Sequence, residues 1–108
     1  MAQTLHKYYY KEVSENTEDY DAYVIPNGDV WEIGFWNGSA NAYRETHVCL
    51  IWDYDGSSPE IIAITYNSEK RHILRQFTGD GTKKIAIVLV NDSPNVERLG
   101  AEFEYKVL

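Results

Sequence analysis

The chain has 108 residues, 44% of them apolar and 14% aromatic, and a formal charge of −7, which makes one domain that buries about 65% of its unfolded surface and excludes disorder. The acidity repels nucleic acid and anionic lipid at long range, so neither is expected as a partner, and no apolar run approaches the roughly 20 residues of a bilayer-spanning helix. Cys49 is the single cysteine, which excludes an internal disulfide and leaves stability to packing.

The amino end is expected to form a strand or arm at about residues 1–13. Over Leu5 to Val13, Leu5, Lys7, Tyr9, Lys11 and Val13 alternate with His6, Tyr8, Tyr10 and Glu12. One face is aromatic and the other mixed, as on a sheet edge or a strand whose tyrosines pack on a neighbouring molecule. The same residues lack the basic start and unbroken apolar stretch of a signal peptide, so synthesis in a reducing cytoplasm is expected. Acidic residues then gather at Glu12, Glu15, Glu18, Asp19 and Asp21, which reads as a solvated loop. Residues 1–54 hold three Lys/Arg against nine Asp/Glu, whereas residues 55–108 hold seven against eight.

Ala22 to Ile25 is a short strand stopped by Pro26, with Asn27-Gly28 suited to a tight hairpin turn. In Val30 to Trp36, alternation assigns Trp31, Ile33 and Phe35 to a core and turns Trp36 outward. Thr46 to Asp53 holds the nearly unbroken run Val48-Cys49-Leu50-Ile51-Trp52, the pattern of a strand covered on both faces. Ile61 to Tyr66 and His72 to Phe77 are the next strands. A helix from Ser68 to Phe77 is the rival, since Ile73, Leu74 and Phe77 share a helical stripe, but it interrupts an otherwise regular strand spacing. Ile85 to Val90 is apolar throughout and therefore central. Leu99 to Leu108 alternates cleanly, with Leu99, Ala101, Phe103, Tyr105 and Val107 inward. Turn formers separate these runs, notably Asp55-Gly56-Ser57-Ser58-Pro59, Gly79-Asp80-Gly81 and Asn91-Asp92-Ser93-Pro94. The expected fold is therefore all-β over residues 1–108: a two-sheet antiparallel β-sandwich of seven or eight strands in jelly-roll or related Greek-key order.

No residue set converges on a recognisable chemistry, and the expectation is a non-enzymatic protein without a cofactor. His6, His47 and His72 fall on three separate strands, without metal-ligand spacing. Cys49 sits between Val48 and Leu50 as a small hydrophobe. Asp53, Asp55 and Glu60 around Gly56 have the composition of half a calcium loop, but a plain Asp-Gly turn accounts for them better. Trp36, Tyr43 and Tyr54 stand beside turns, where exposed rings can stack on sugars. Tyr8, Tyr9 and Tyr10 are the candidate partner-binding residues of an edge strand.

The chain resembles the small jelly-roll structural proteins of tailed bacteriophage particles, which decorate or cement capsids or form pieces of tails. The resemblance lies in the tyrosine-rich amino end, in residues Ile25 to Ile33, Val48 to Tyr54 and Gly79 to Leu89, and in the closing strand. It implies a virion protein made in the host cytoplasm that assembles as a homo-oligomer on a major capsid protein or another virion subunit. A carbohydrate-binding module, or a tail or receptor-binding component, is the alternative.

Overall fold

Residues 3–108, which the computed structural model describes, form eight strands and one 3-10 turn. The strands are β1 Thr4–Val13, β2 Thr17–Val24, β3 Val30–Ser39, β4 Thr46–Trp52, β5 Glu60–Thr65, β6 Glu69–Thr78, β7 Lys84–Asn91 and β8 Glu97–Val107, and the turn is Ala42–Arg44. Sheet A has the order β1-β8-β3-β6 and sheet B the order β2-β7-β4-β5, with every pairing antiparallel. The pairs β1·β8, β2·β7, β3·β6 and β4·β5 nest inside one another like a long hairpin rolled onto itself. Contacts β8·β3 and β7·β4 then close each sheet, which is jelly-roll order. The all-β sandwich expected from the sequence is thus the fold. The first two residues of the expected arm, Met1 and Ala2, lie outside the described residues; the rest is no free arm but an edge strand paired with β8 from Thr4 to Val13.

Alternation dictates the core. From β7 come Ile85, Ile87 and Leu89, from β4 Val48 and Leu50, from β8 Leu99, Ala101, Phe103 and Tyr105, all buried between the sheets. The inward set read for β8 is therefore the observed one, apart from Val107, which is only partly buried. At one end Asn91 is fully buried: its Nδ2 donates to the carbonyls of Val13, Ser14 and Asn95, and its Oδ1 accepts from Ser93 N–H.

Four expectations need correction. The acidic stretch is not a loop: Glu18, Asp19 and Asp21 belong to β2, which starts at Thr17 rather than Ala22. Its inward carboxylates are satisfied at the sandwich edge, Asp19 by the Tyr9 hydroxyl at 2.8 Å and Lys11 Nζ at 2.5 Å, and Asp21 by the Tyr23 hydroxyl at 2.9 Å. Those bonds remove the penalty that normally keeps Asp out of strands. Second, Pro26 to Asp29 is a turn but not a hairpin. Asp29 N–H bonds Pro26 O and Gly28 takes φ +87°, yet β2 and β3 lie in different sheets, so the turn carries the chain across the sandwich.

Third, Phe35 and Trp36 exchange places. Between Ile33 and Trp36, β3 has one residue more than β8 opposite it, and between Ile33 and Phe35 β6 has one more than β3. This irregularity inverts the alternation, so Trp36 is 0% exposed and Phe35 44% exposed. In β6 it also places Leu74 outward at φ +55°, while Ile73 and Phe77 pack inward. The apparent helical stripe of residues 73, 74 and 77 is a strand with an extra residue. Fourth, the unbroken runs of β4 and β7 are buried on both faces, as read, but the other sheet covers only one of them. Cys49 lies not between the sheets but on the outer face of sheet B with Ala86 and Val88, screened by Tyr54, Ile64 and Val90.

Candidate functional site

Strand β1 distributes its three consecutive tyrosines over two faces. Tyr8, 68% exposed, and Tyr10 stand on the outer face of sheet A opposite Glu102 and Gly100, whereas Tyr9 turns inward to Asp19. The Tyr10 ring lies flat over Gly100, where an added Cβ would come within 1.7 Å of Tyr10 Cδ1. Burial, then the Glu102 carboxylate, raises the Tyr10 phenol above its ordinary range. Burial followed by the Asp19 hydrogen bond does the same for Tyr9. The free backbone edge of β1 is guarded: Lys7 and Lys11 point inward, Lys7 over the Tyr23 ring at 5.1 Å and Lys11 to Asp19. Inward charge of this kind discourages a further strand from pairing. What β1 offers to a partner is therefore its outward rings.

Next to those rings, the displaced Phe35 divides the outer face of sheet A into two shallow depressions of about 200 and 180 Å3. Phe35 and Glu104 line both. The first adds Glu32, His72 and Leu74, the second His6, Asn37 and Glu102. Phe35 meets His72 edge-on with centroids 3.9 Å apart. An exposed ring flanked by carboxylates, an amide and two imidazoles is a surface that can stack on a flat apolar face and hydrogen-bond around it. Plain alternation hides Phe35; the signal that marks it is Gly34, a glycine inside a strand run, where irregular pairing is common.

The three rings singled out for sugar stacking do not come together. Trp36 is in the core, and its Nε1 donates to the Thr65 hydroxyl at 2.8 Å, so it cannot touch a ligand; the irregularity of β3 is the physical reason. Tyr43, 96% exposed, stands alone on the 3-10 turn. Tyr54 packs on the outer face of sheet B beside Tyr20, with centroids 4.8 Å apart, and burial raises its phenol pKa.

In the loop after β4, Asp53 and Asp55 both take positive φ, and Asp53 Oδ2 accepts from Ser58 N–H at 3.1 Å. A Cβ at Gly56 would lie 2.1 Å from Asp53 Oδ1, so the glycine makes room for that carboxylate. Glu60 is held elsewhere, by Arg75 of β6, which also lowers its pKa. Asp53 and Glu60 of the calcium-like triplet thus have structural partners of their own, and no three His, Cys, Asp or Glu among the described residues gather in a metal-binding group. In Gly79 to Lys83, Asp80 accepts from the N–H groups of Thr82 and Lys83, which lowers its pKa to about 2. His6, His47 and His72 remain on β1, β4 and β6. Burial, with a smaller contribution from Glu18, pushes the Cys49 thiol up to about 11, the behaviour of a packing residue.

The chain matches no protein-family model and no curated protein.

Proposed function

We propose that this chain is a non-enzymatic virion structural protein, a cement-type capsid decoration protein that adds contacts across subunit boundaries of a repeated shell. The observation that carries the reading is the ten-residue edge strand β1, which projects Tyr8 and Tyr10 from the outer face of sheet A while its backbone edge is guarded. Tyrosine presents large contact area at low entropic cost and is over-represented at interface hot spots. The jelly roll occurs in viral shell proteins and in lectins alike, so the fold supports the reading by analogy only. The test is co-sedimentation with shells assembled from the capsid protein encoded in the same genome. Tyr8→Ala is expected to weaken binding about tenfold, the order of one hot-spot ring. Unchanged affinity in the variant, or no affinity in the parent, counts against it.

Carbohydrate binding is the second reading, moved from Trp36, Tyr43 and Tyr54 to the surface around Phe35. The ring lies between two depressions that share Glu104, with Asn37 and Glu102 beside it. Titration with an oligosaccharide panel, followed by NMR, is expected to shift Phe35 and Tyr8 together, and Phe35→Ala to abolish the shifts; a panel that leaves both unmoved rejects this reading.

A further inference from the structure

The outer face of sheet B lies on the side of the sandwich opposite Tyr8 and Tyr10, and strand register sets it out in rows. Val88 stands between Tyr20 and Cys49, and Ala86 between Ala22 and Ile51. Strand β5 adds Ile64 beside Cys49 and Ile61 beside Ile51. These middle rows carry no charge. Charged groups and imidazole appear only at the ends: Glu18 and His47 flank Val90 at one, and Lys84 pairs with Val24 at the other. The corresponding face of sheet A carries Glu32, Glu102, Glu104 and Lys106. A sheet with one dry and one wet face alternates as sheet A does; sheet B has the pattern of a layer covered on both sides.

The face has relief. On its β2 side the rings of Tyr20 and Tyr54 lie 4.8 Å apart, with Tyr54 packed on the small residues of the centre. On its β5 side the surface is aliphatic, and Ile61 is 57% exposed. An aromatic ridge on one side and an isoleucine shelf on the other complement each other when a second copy is turned about an axis parallel to the strands.

We propose that the outer face of sheet B is a contact between two copies of this chain, related by a two-fold axis running along the strands, with the Tyr20–Tyr54 ridge of each seated on the Ile61–Ile64 shelf of the other. Such an isologous contact lays β2 over β5 and β7 over β4 of the second copy. It also brings Glu18 of each copy to the end where the other carries His47, whose ring lies 5.4 Å from that of Tyr66. A carboxylate there meets an imidazole and a phenol, both of which can donate. Four strands at about 4.8 Å spacing and seven residues at about 3.3 Å give a footprint of roughly 19 by 23 Å. That is small for a specific interface, so association in the micromolar range is expected. Tyr8 and Tyr10 of both copies stay in solvent, so failure of this contact and failure of shell binding are separate results.

The test is sedimentation equilibrium of the full chain from about 1 µM to about 1 mM, a range that brackets a micromolar dimer. The expected result is a concentration-dependent rise from the 12.5 kDa monomer to twice that mass. Ile61→Lys, at an exposed position, is expected to weaken association at least about 30-fold without changing the thermal melt. Glu18→Lys and His47→Glu are each expected to weaken it about fivefold or more, and the double variant E18K/H47E to recover it, since the introduced ammonium and carboxylate meet across the axis. Tyr8→Ala is expected to leave the mass unchanged. A monomer at every concentration overturns the proposal, as does association indifferent to Ile61→Lys or a double variant as weak as the worse single one.

Discussion

Trp31 and Trp36 are both buried on β3 and differ in one atom's surroundings. Trp36 Nε1 donates to Thr65, while Trp31 Nε1 is buried without a partner, its ring stacked on Tyr105 at 4.1 Å. Replacing either by Phe removes similar volume, but only Trp36→Phe breaks a hydrogen bond and strands the Thr65 hydroxyl; Trp31→Phe removes an unsatisfied donor. Trp36→Phe should therefore cost about 1–2 kcal/mol more than Trp31→Phe in denaturant unfolding. Equal costs would mean that the Thr65 bond adds nothing. Asn91 is the stronger case, because its side chain satisfies three carbonyls and one N–H in the interior. Asn91→Ala should lose about 3 kcal/mol or more, most of it from the orphaned backbone groups. Asp80 tests the pH dependence. Its folded pKa, about 2, lies below the unfolded value of an aspartate, so its contribution is complete above about pH 4 and lost as pH falls toward 2. The difference in Tm between the parent and Asp80→Ala should accordingly be present at pH 6 and shrink toward zero near pH 2. A constant difference would assign the effect to something other than this carboxylate.

At the scale of elements, a strand is legible in sequence when its side chains answer to a single rule. In β8 every second residue is apolar, and Leu99, Ala101, Phe103 and Tyr105 are buried as the alternation requires. In β3 the rule changes phase at Gly34, and a reading that continues the alternation sends Phe35 inward and Trp36 outward. Irregular pairing is set by partner strands, which a single strand's sequence does not contain. The same holds for β2, where the acidic residues look like a loop until Tyr9, Lys11 and Tyr23 are found beside them. The stepped register also leaves a local cost: Leu74, exposed, is held at φ +55° in β6. Left-handed backbone costs an ordinary residue about 1–2 kcal/mol, whereas glycine adopts it freely. Leu74→Gly should therefore stabilise the protein by about 0.5–1 kcal/mol, after the glycine's larger unfolded-state entropy is offset. A destabilised variant would show that the Leu74 side chain contributes packing greater than the strain.

For the whole molecule, the turns and apolar runs make an eight-stranded sandwich legible, but not which runs face each other. The Pro26-Asn27-Gly28 turn serves a crossing between sheets as well as it serves a hairpin, so the nested jelly-roll order had no local signature. The candidate site was legible in part: of Tyr8, Tyr9 and Tyr10 the first and third are exposed on an edge strand but Tyr9 turns inward, and Trp36 and Phe35 are interchanged. The unbroken runs of β4 and β7 correctly signal cover on both faces, but only one of the covers is the other sheet. They are apolar on both sides although a two-layer fold buries only one, and the excess is the Cys49, Ala86 and Val88 cluster on the outer face of sheet B. Cys49 makes that placement measurable. Its thiol is 4% exposed and raised to about 11, so alkylation at pH 8 needs an opening that lets solvent reach it. If Tyr54 and Ile64 screen it from outside, Tyr54→Ala should speed alkylation at least about tenfold while the global melt moves little, because only a local cover is removed. A thiol lodged between the sheets would instead respond only to global unfolding, and its labelling rate would follow overall stability across the Trp36, Asn91 and Tyr54 variants alike.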